Sequence, residues 1–200
     1  VREDLKKADW ISLKLDTPDE RCWRDLNRPH GSLSFQAILE GIVQFSTEFK
    51  GELVTETMLV KEMNTGESQL RKTADFLAQI KPTEAYLSVP TRPPAERWVE
   101  MPDEQNLATA YQVLSERVNT VEYLTGYEGD SFASTGDVQK DLLAITAVHP
   151  MRETAVHNLL EKGDVDWAIV NKLVSEGRLI RTEYRGKTFF LRSLPGRSLR

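Results

Sequence analysis

The sequence predicts an α/β chain whose first 100 residues build a parallel sheet and whose last third builds a small winged helix-turn-helix. Two patterns lead there. From Asp9 to Pro90, three apolar, β-prone runs alternate with helical stripes, the signature of βαβ units. From Ser134 onward, three short helical patterns are followed by a β-hairpin, the element order of a winged helix.

The first run is Trp10-Ile11-Ser12-Leu13-Lys14-Leu15-Asp16. It stops at Thr17-Pro18-Asp19-Glu20, where a Thr cap, a Pro at the first helical position and a Glu three residues after the Thr read as a capping box. A short helix carrying Cys22 is broken by Pro29 and Gly31. A longer one follows, with Phe35, Ile38, Leu39, Ile42, Val43 and Phe49 on one stripe. The second run, Leu53 to Val60, leads through Asn64-Thr65-Gly66 into a helix bearing Leu70, Ala74, Leu77 and Ile80. The third, Ala85 to Pro90, ends in Thr91-Arg92-Pro93-Pro94, a cluster inside which no helix can start. Such a series is half of a barrel or half of a doubly wound sheet. One more helix carries Leu107, Ala110, Tyr111, Leu114 and Val118, and Tyr123 to Asp130 reads as a Gly-containing linker.

In the C-terminal unit, Val138, Leu142 and Ile145 mark a first helix and Val156, Leu159 and Leu160 a second, after Pro150. Val165, Ala168, Ile169, Leu173 and Val174 mark a third, capped by Asp164 and closed by Gly177. Leu179–Tyr184, the turn Arg185-Gly186-Lys187 and Thr188–Arg192 complete the hairpin.

Composition narrows the chemistry. One cysteine among 200 residues rules out an internal disulfide framework and a Cys-rich zinc site, and makes a reducing, cytoplasmic setting the default. No apolar run approaches the ~20 residues of a membrane span, and no signal-peptide pattern opens the chain. The first residues, Val1 to Ala8, read as the last turns of a helix already under way, as in a fragment. A net charge of −5 argues against a protein that coats nucleic acid. That average hides a contrast, because from Gly177 onward seven basic residues face Glu183 alone.

Polar residues on parallel strands are costly to bury without partners, so they are the first candidates for a ligand site. Lys14 and Asp16 lie two apart, hence on one face of the first strand. Glu56 sits in the second strand and Ser88 near the end of the third. A cation, two carboxylates and a hydroxyl across three strands suit an amino acid moiety and a ribose. They equally suit a structural ion pair. Arg28, in Asn27-Arg28-Pro29-His30, either reaches an anion or serves only a helix break. His30 is a loop histidine and a weak candidate base. Arg92, at a strand's C-terminal exit, is placed to face a site there. In the winged-helix unit, Lys172, Arg181, Arg185 and Lys187 are candidates for nucleic acid or protein contact, although the third helix also carries acids and offers almost no base-reading side chain. His149 and His157, eight apart, read as structural or surface residues.

The ordered set Ser12-Leu13-Lys14-Leu15-Asp16, Asn27-Arg28-Pro29-His30, Glu56 to Asn64 and Leu87 to Pro94 resembles the C-terminal half of a radical S-adenosylmethionine (SAM) enzyme. More narrowly, it is similar to the Fe–S oxidoreductases related to wyosine tRNA-modifying synthetases. The resemblance covers about the first 100 residues. It implies strands four to six of a partial (β/α)6 TIM-type barrel, with Lys14, Asp16, Glu56 and Ser88 around SAM and Arg28 and Arg92 toward the substrate or barrel mouth. It implies SAM and a [4Fe–4S] cluster as cofactors of the full-length protein, and hydrogen abstraction by a 5′-deoxyadenosyl radical from an unidentified substrate. The family's Cys-x-x-x-Cys-x-x-Cys loop is missing from this sequence, so neither a cluster, nor any other metal site, nor catalysis is expected of this chain alone.

The expected organisation is a barrel portion over 1–100, a bridging helix and linker over 101–133, the winged-helix unit over 134–193 and a basic tail over 194–200. The expected partners are the missing barrel half and, through the winged helix, a tRNA, a DNA or a protein; no membrane is expected. The competing reading is a non-enzymatic regulator, with an α/β ligand-sensing domain and a nucleic-acid-binding winged helix.

Overall fold

The period-two apolar positions of the first segment need a covering layer, and the helical stripes between them supply it. The computed structural model describes residues 2–124, 132 and 134–193; the tail 194–200 and most of the expected linker lie outside them. The chain forms two units, residues 1–91 with 95–126 and residues 92–94 with 127–200.

The first unit runs α1 (Arg2–Leu5), β1 (Trp10–Lys14), α2 (Glu20–Asn27), α3 (Phe35–Glu48), β2 (Glu52–Met58), α4 (Glu67–Ile80), β3 (Glu84–Ser88), α5 (Glu104–Ser115) and β4 (Val121–Leu124). Its four strands form one parallel sheet in sequential order. Helices cover one face. Leu15, Leu59, Ala85, Leu87 and Val121 pack with α4 and α5, and Ile11 and Leu53 pack under Phe45 and Phe49 of α3 and its C-terminal cap. The alternate positions, Trp10, Ser12 and Lys14, Glu52, Val54, Glu56 and Met58, Glu84, Tyr86 and Ser88, and Glu122, make a mostly polar second face in which Val54 is fully buried. Register aligns Lys14, Glu56, Tyr86 and Glu122 in one row across all four strands.

Two local expectations are corrected. Residues 101–133 hold more than a bridging helix and a linker, because α5 is the crossover to a fourth strand, β4, that pairs in parallel with β3. Only Val121 of β4 is buried, so its four residues show no alternation to read. At the start of α2 the cap is Asp19, whose carboxylate accepts the Cys22 N–H at 3.1 Å, while Thr17 Oγ1 accepts the Asp19 N–H. A carboxylate is the stronger acceptor for orphan helix donors, and the helix accordingly begins at Glu20, two residues later than Pro18 suggested.

The second unit contains α6 (Val138–Val148), β5 (Met151–Arg152), α7 (Glu153–Lys162), α8 (Ala168–Ser175), β6 (Leu179–Tyr184) and β7 (Lys187–Arg192), with an antiparallel sheet in the order β5-β7-β6. The three helices and the hairpin read from the sequence are present, and β5 adds a two-residue strand beside β7. Leu142, Met151, Leu159, Leu173, Leu179 and Phe190 form its core. Asp166, not Asp164, bonds to the start of α8, accepting the Ala168 N–H at 2.7 Å.

Asp141 anchors the entry to this unit. It is buried, accepts the Thr135 hydroxyl and N–H, each at 2.7 Å, and takes the Ser134 hydroxyl at 3.0 Å. The Thr135 hydroxyl and amide hold its carboxyl below the usual carboxylate range. A carboxylate with a lowered folded-state pKa contributes stability above its unfolded pKa and loses it as the pH falls through the folded value. Asp141→Ala is therefore expected to lower the denaturation midpoint of the second unit at about pH 7, with the gap to wild type narrowing toward about pH 2. A gap that is constant across that range would contradict the carboxylate's role.

Candidate functional site

Strand parity carries Lys14 and Glu56 to the polar face of the sheet as direct register partners, and Ser88 follows one step further toward the C-terminal edge. Lys14 Nζ lies 3.2 Å from both Glu56 Oε1 and Asp16 Oδ1. The Ser88 hydroxyl donates to Glu56 Oε1 at 2.8 Å. Lys14, Asp16, Glu56 and Ser88 thus form one hydrogen-bonded cluster at the C-terminal ends of three parallel strands. The side chain of Lys14 is 46% exposed and that of Glu56 32%, whereas that of Asp16 is 4% exposed. The two exposed members are open to a ligand and the third is not.

Asp16 is committed to the scaffold. Its Oδ1 accepts the Met58 N–H at 2.8 Å and its Oδ2 accepts Asn27 Nδ2 at 2.7 Å. Behind it, Asn64 Nδ2 donates to the carbonyls of Asp16 and Met58 at 2.9 and 2.8 Å, and Asn64 Oδ1 accepts the Val60 N–H at 2.8 Å. The Thr57 hydroxyl donates to the Leu15 carbonyl at 2.7 Å. Asn27, Thr57 and Asn64 therefore fix the strand ends that carry the cluster. The sequence reading assigned them no such role, since each bonds to a group 11 to 48 residues away.

Other candidates fall elsewhere. Arg28 caps α2 in the left-handed region at φ 48°, and its guanidinium pairs with Glu96. His30 Nδ1 accepts the Ser32 N–H at 3.3 Å. Arg92 belongs to the second unit, where its Nη1 lies 2.8 Å and 2.6 Å from the ring nitrogens of His149. His157 stacks on Trp167 with ring centroids 4.1 Å apart. Tyr86, unflagged by the sequence, donates to Glu84 on the polar face, and that carboxylate pushes its phenol up to about 12.

The residues present do not fit an iron–sulfur cluster. Cys22 is buried, its thiol donates to the Met63 carbonyl at 3.5 Å, and burial pushes its pKa up, away from the thiolate that ligates iron. Among the described residues, no group of three or more His, Cys, Asp or Glu side chains is arranged to hold a metal ion. The strand-end cluster does fit the polar groups of SAM. Lys14 offers an ammonium to a carboxylate, and Glu56 offers a carboxylate to an ammonium or to ribose hydroxyls. Among the described residues, no helix is long and apolar enough to cross a membrane.

The Asn64 network sets a clear expectation. Asn64→Asp turns a donor amide into a carboxylate facing two carbonyl oxygens. It is expected to cost about 3 kcal/mol or more in urea denaturation, and a loss below about 1 kcal/mol would show that the loop can rearrange around it.

No family model matches the chain. Among solved structures, a domain of pyruvate-formate lyase-activating enzyme from Bacteroides vulgatus aligns with a TM-score of 0.48 at 17% identity, covering 63% of this chain and 73% of that one. A radical SAM methyltransferase from Sphaerobacter thermophilus aligns with a TM-score of 0.48 at 16% identity, covering 62% of this chain and 38% of that one. A UPF0026 protein from Methanocaldococcus jannaschii is 40% identical over 199 residues, a match that takes in 98% of this chain and 62% of that protein's length. The chain is similar to that UPF0026 protein along nearly its whole length, and it spans about three fifths of that relative's own length.

Proposed function

We propose that this chain is the SAM-holding C-terminal part of a radical SAM enzyme. The observation that carries the reading is the Lys14–Glu56–Ser88 cluster at the C-terminal ends of adjacent parallel strands, where helix-backed parallel sheets place their ligands. The ordered motifs that resemble this family contribute all four cluster residues, which supports the reading from the side of the sequence.

In this role Lys14 binds the SAM carboxylate. Glu56, oriented by the Ser88 hydroxyl, accepts from the SAM ammonium or ribose. Asp16 touches no ligand and holds β1 against β2. SAM held there would supply a 5′-deoxyadenosyl radical for hydrogen abstraction, with methionine as the other product, once given one electron by a reductant that this chain does not itself hold. This chain, with Cys22 as its one cysteine, does not supply the thiolates that an iron–sulfur cluster would need.

Calorimetry of SAM with the full-length protein tests the assignment. Lys14→Ala and Glu56→Gln are each expected to weaken binding by about 1.5–3 kcal/mol, the worth of one hydrogen bond to a charged group. Unchanged affinity in both variants would overturn it.

A further inference from the structure

We propose that the β6–β7 hairpin grips the phosphate backbone of a double-helical nucleic acid through Arg181, Arg185 and Lys187, without reading base sequence. Three features of the second unit carry this inference, which stands independently of the SAM reading.

The element order, helix, short strand, two helices and hairpin, is that of a winged helix. In helix-turn-helix modules the second helix of the pair presents its N-terminal residues to the groove. Here that helix is α8, and its N-terminal end is acidic. Asp166 takes the Ala168 N–H, with Asp164 two residues before it. Its cation, Lys172, lies 3.9 Å from Glu176, and Arg178 pairs with the same carboxylate at 3.4 Å. A phosphate approaching the start of this helix meets carboxylates first, and the two cations beyond it, Lys172 and Arg178, share the one Glu176 carboxylate.

The hairpin is arranged in the opposite way. Arg181, Arg185 and Lys187 are all exposed, and Arg181 and Lys187 have no ion-pair partner among the described residues. Register places Arg181 opposite Phe190 and Lys187 opposite Tyr184. Arg181 therefore shares the pleat face of Leu179 and Phe190, while Lys187 shares the other face with Tyr184. Arg185 stands at the turn, in the left-handed region at φ 53°. Cations thus emerge on both faces and at the tip of a two-stranded ribbon. Arg181 and Tyr184 are three residues apart, about 10 Å along the strand. Duplex nucleic acid carries one negative charge per about 1.7 Å of axis, so a ribbon lying in a groove meets phosphates on both walls. A B-form major groove about 12 Å wide admits such a ribbon, as does the wide minor groove of duplex RNA. No Asn or Gln stands near the ribbon's end to pair with adenine, and the cations there are assigned to phosphates rather than to guanine edges. Glu183 is the one acidic residue on the hairpin and lies on the Arg181 face.

Fluorescence anisotropy of the full 200-residue chain with labelled duplex DNA and, separately, duplex RNA tests the proposal. Three phosphate contacts predict a slope of about −2.7 for log affinity against log salt on DNA. Arg181→Ala with Lys187→Ala is expected to remove about 1.8 of that slope and to weaken binding at least about tenfold at about 50 mM salt. Arg181→Lys with Lys187→Arg keeps the slope, and Glu183→Gln tightens binding a few-fold. The two duplex arms show which nucleic acid is preferred, and scrambled sequences are expected to bind equally well. The proposal is overturned by the absence of salt-dependent binding to either duplex, by an alanine pair that folds and binds with the wild-type slope, or by a loss carried by Lys172→Ala instead.

Discussion

A buried carboxylate with no partner costs several kcal/mol, and Asp16 escapes that cost only because three elements meet at it. The Met58 amide comes from β2, the Asn27 amide from α2 and the Lys14 ammonium from β1. All three contacts satisfy the carboxylate, and those from Met58 and Asn27 also fix β2 and α2 to the end of the first strand. Asn64 does the same from the opposite side. It takes the main-chain carbonyls of residues 16 and 58 together, so the loop after β2 closes over the junction of the first two strands. The spacing between Lys14 and Glu56, on which any ligand chemistry at this edge depends, is a consequence of that junction.

Much of this was legible in the sequence, for a simple reason. Side chains two apart on a strand share a face whatever the rest of the fold does, so Lys14 and Asp16 could be placed together from spacing alone. The Leu53–Val60 run and the Ala85–Pro90 run were long enough to show as strands, and the stripes of α3 and α4 were regular. Elements that are short or exposed left no such trace. β4 has four residues with one buried, and β5 has two. Register and long-range hydrogen bonds left none either. Nothing about Asn64 within a turn-like Asn-Thr-Gly reveals that its amide bonds to a carbonyl 48 residues back. The Asn27-Arg28-Pro29 stretch held two meanings at once: Asn27 supports Asp16, while Arg28 supplies the left-handed cap that its backbone break requires.

The polar face of the sheet sets the electrostatic surroundings of the Lys14–Glu56–Ser88 cluster. Parallel sheets are usually covered on both sides and read as apolar throughout. Here one side is apolar and covered by helices, and the other carries four glutamates, a tyrosine and one lysine across its four strands. Tyr86, tied to Glu84, shows the local consequence, since a phenol beside a carboxylate is held in its protonated form. Lys14 is the one cation in this field, which makes it the point at which an anionic group is most readily accepted.

The exposures then divide the labour within the cluster. An ion pair between partly exposed groups contributes about 0–1 kcal/mol, so the Lys14–Glu56 contact is cheap to exchange for a ligand carboxylate on one side and a ligand ammonium on the other. Asp16 cannot take part in such an exchange, because both of its oxygens are engaged and its side chain is almost wholly buried. A ligand arriving at this edge therefore meets a lysine and a glutamate free to reorient on a rigid base. Their pairing in the absence of ligand keeps both charges satisfied, and the strand ends need not move when the partners change.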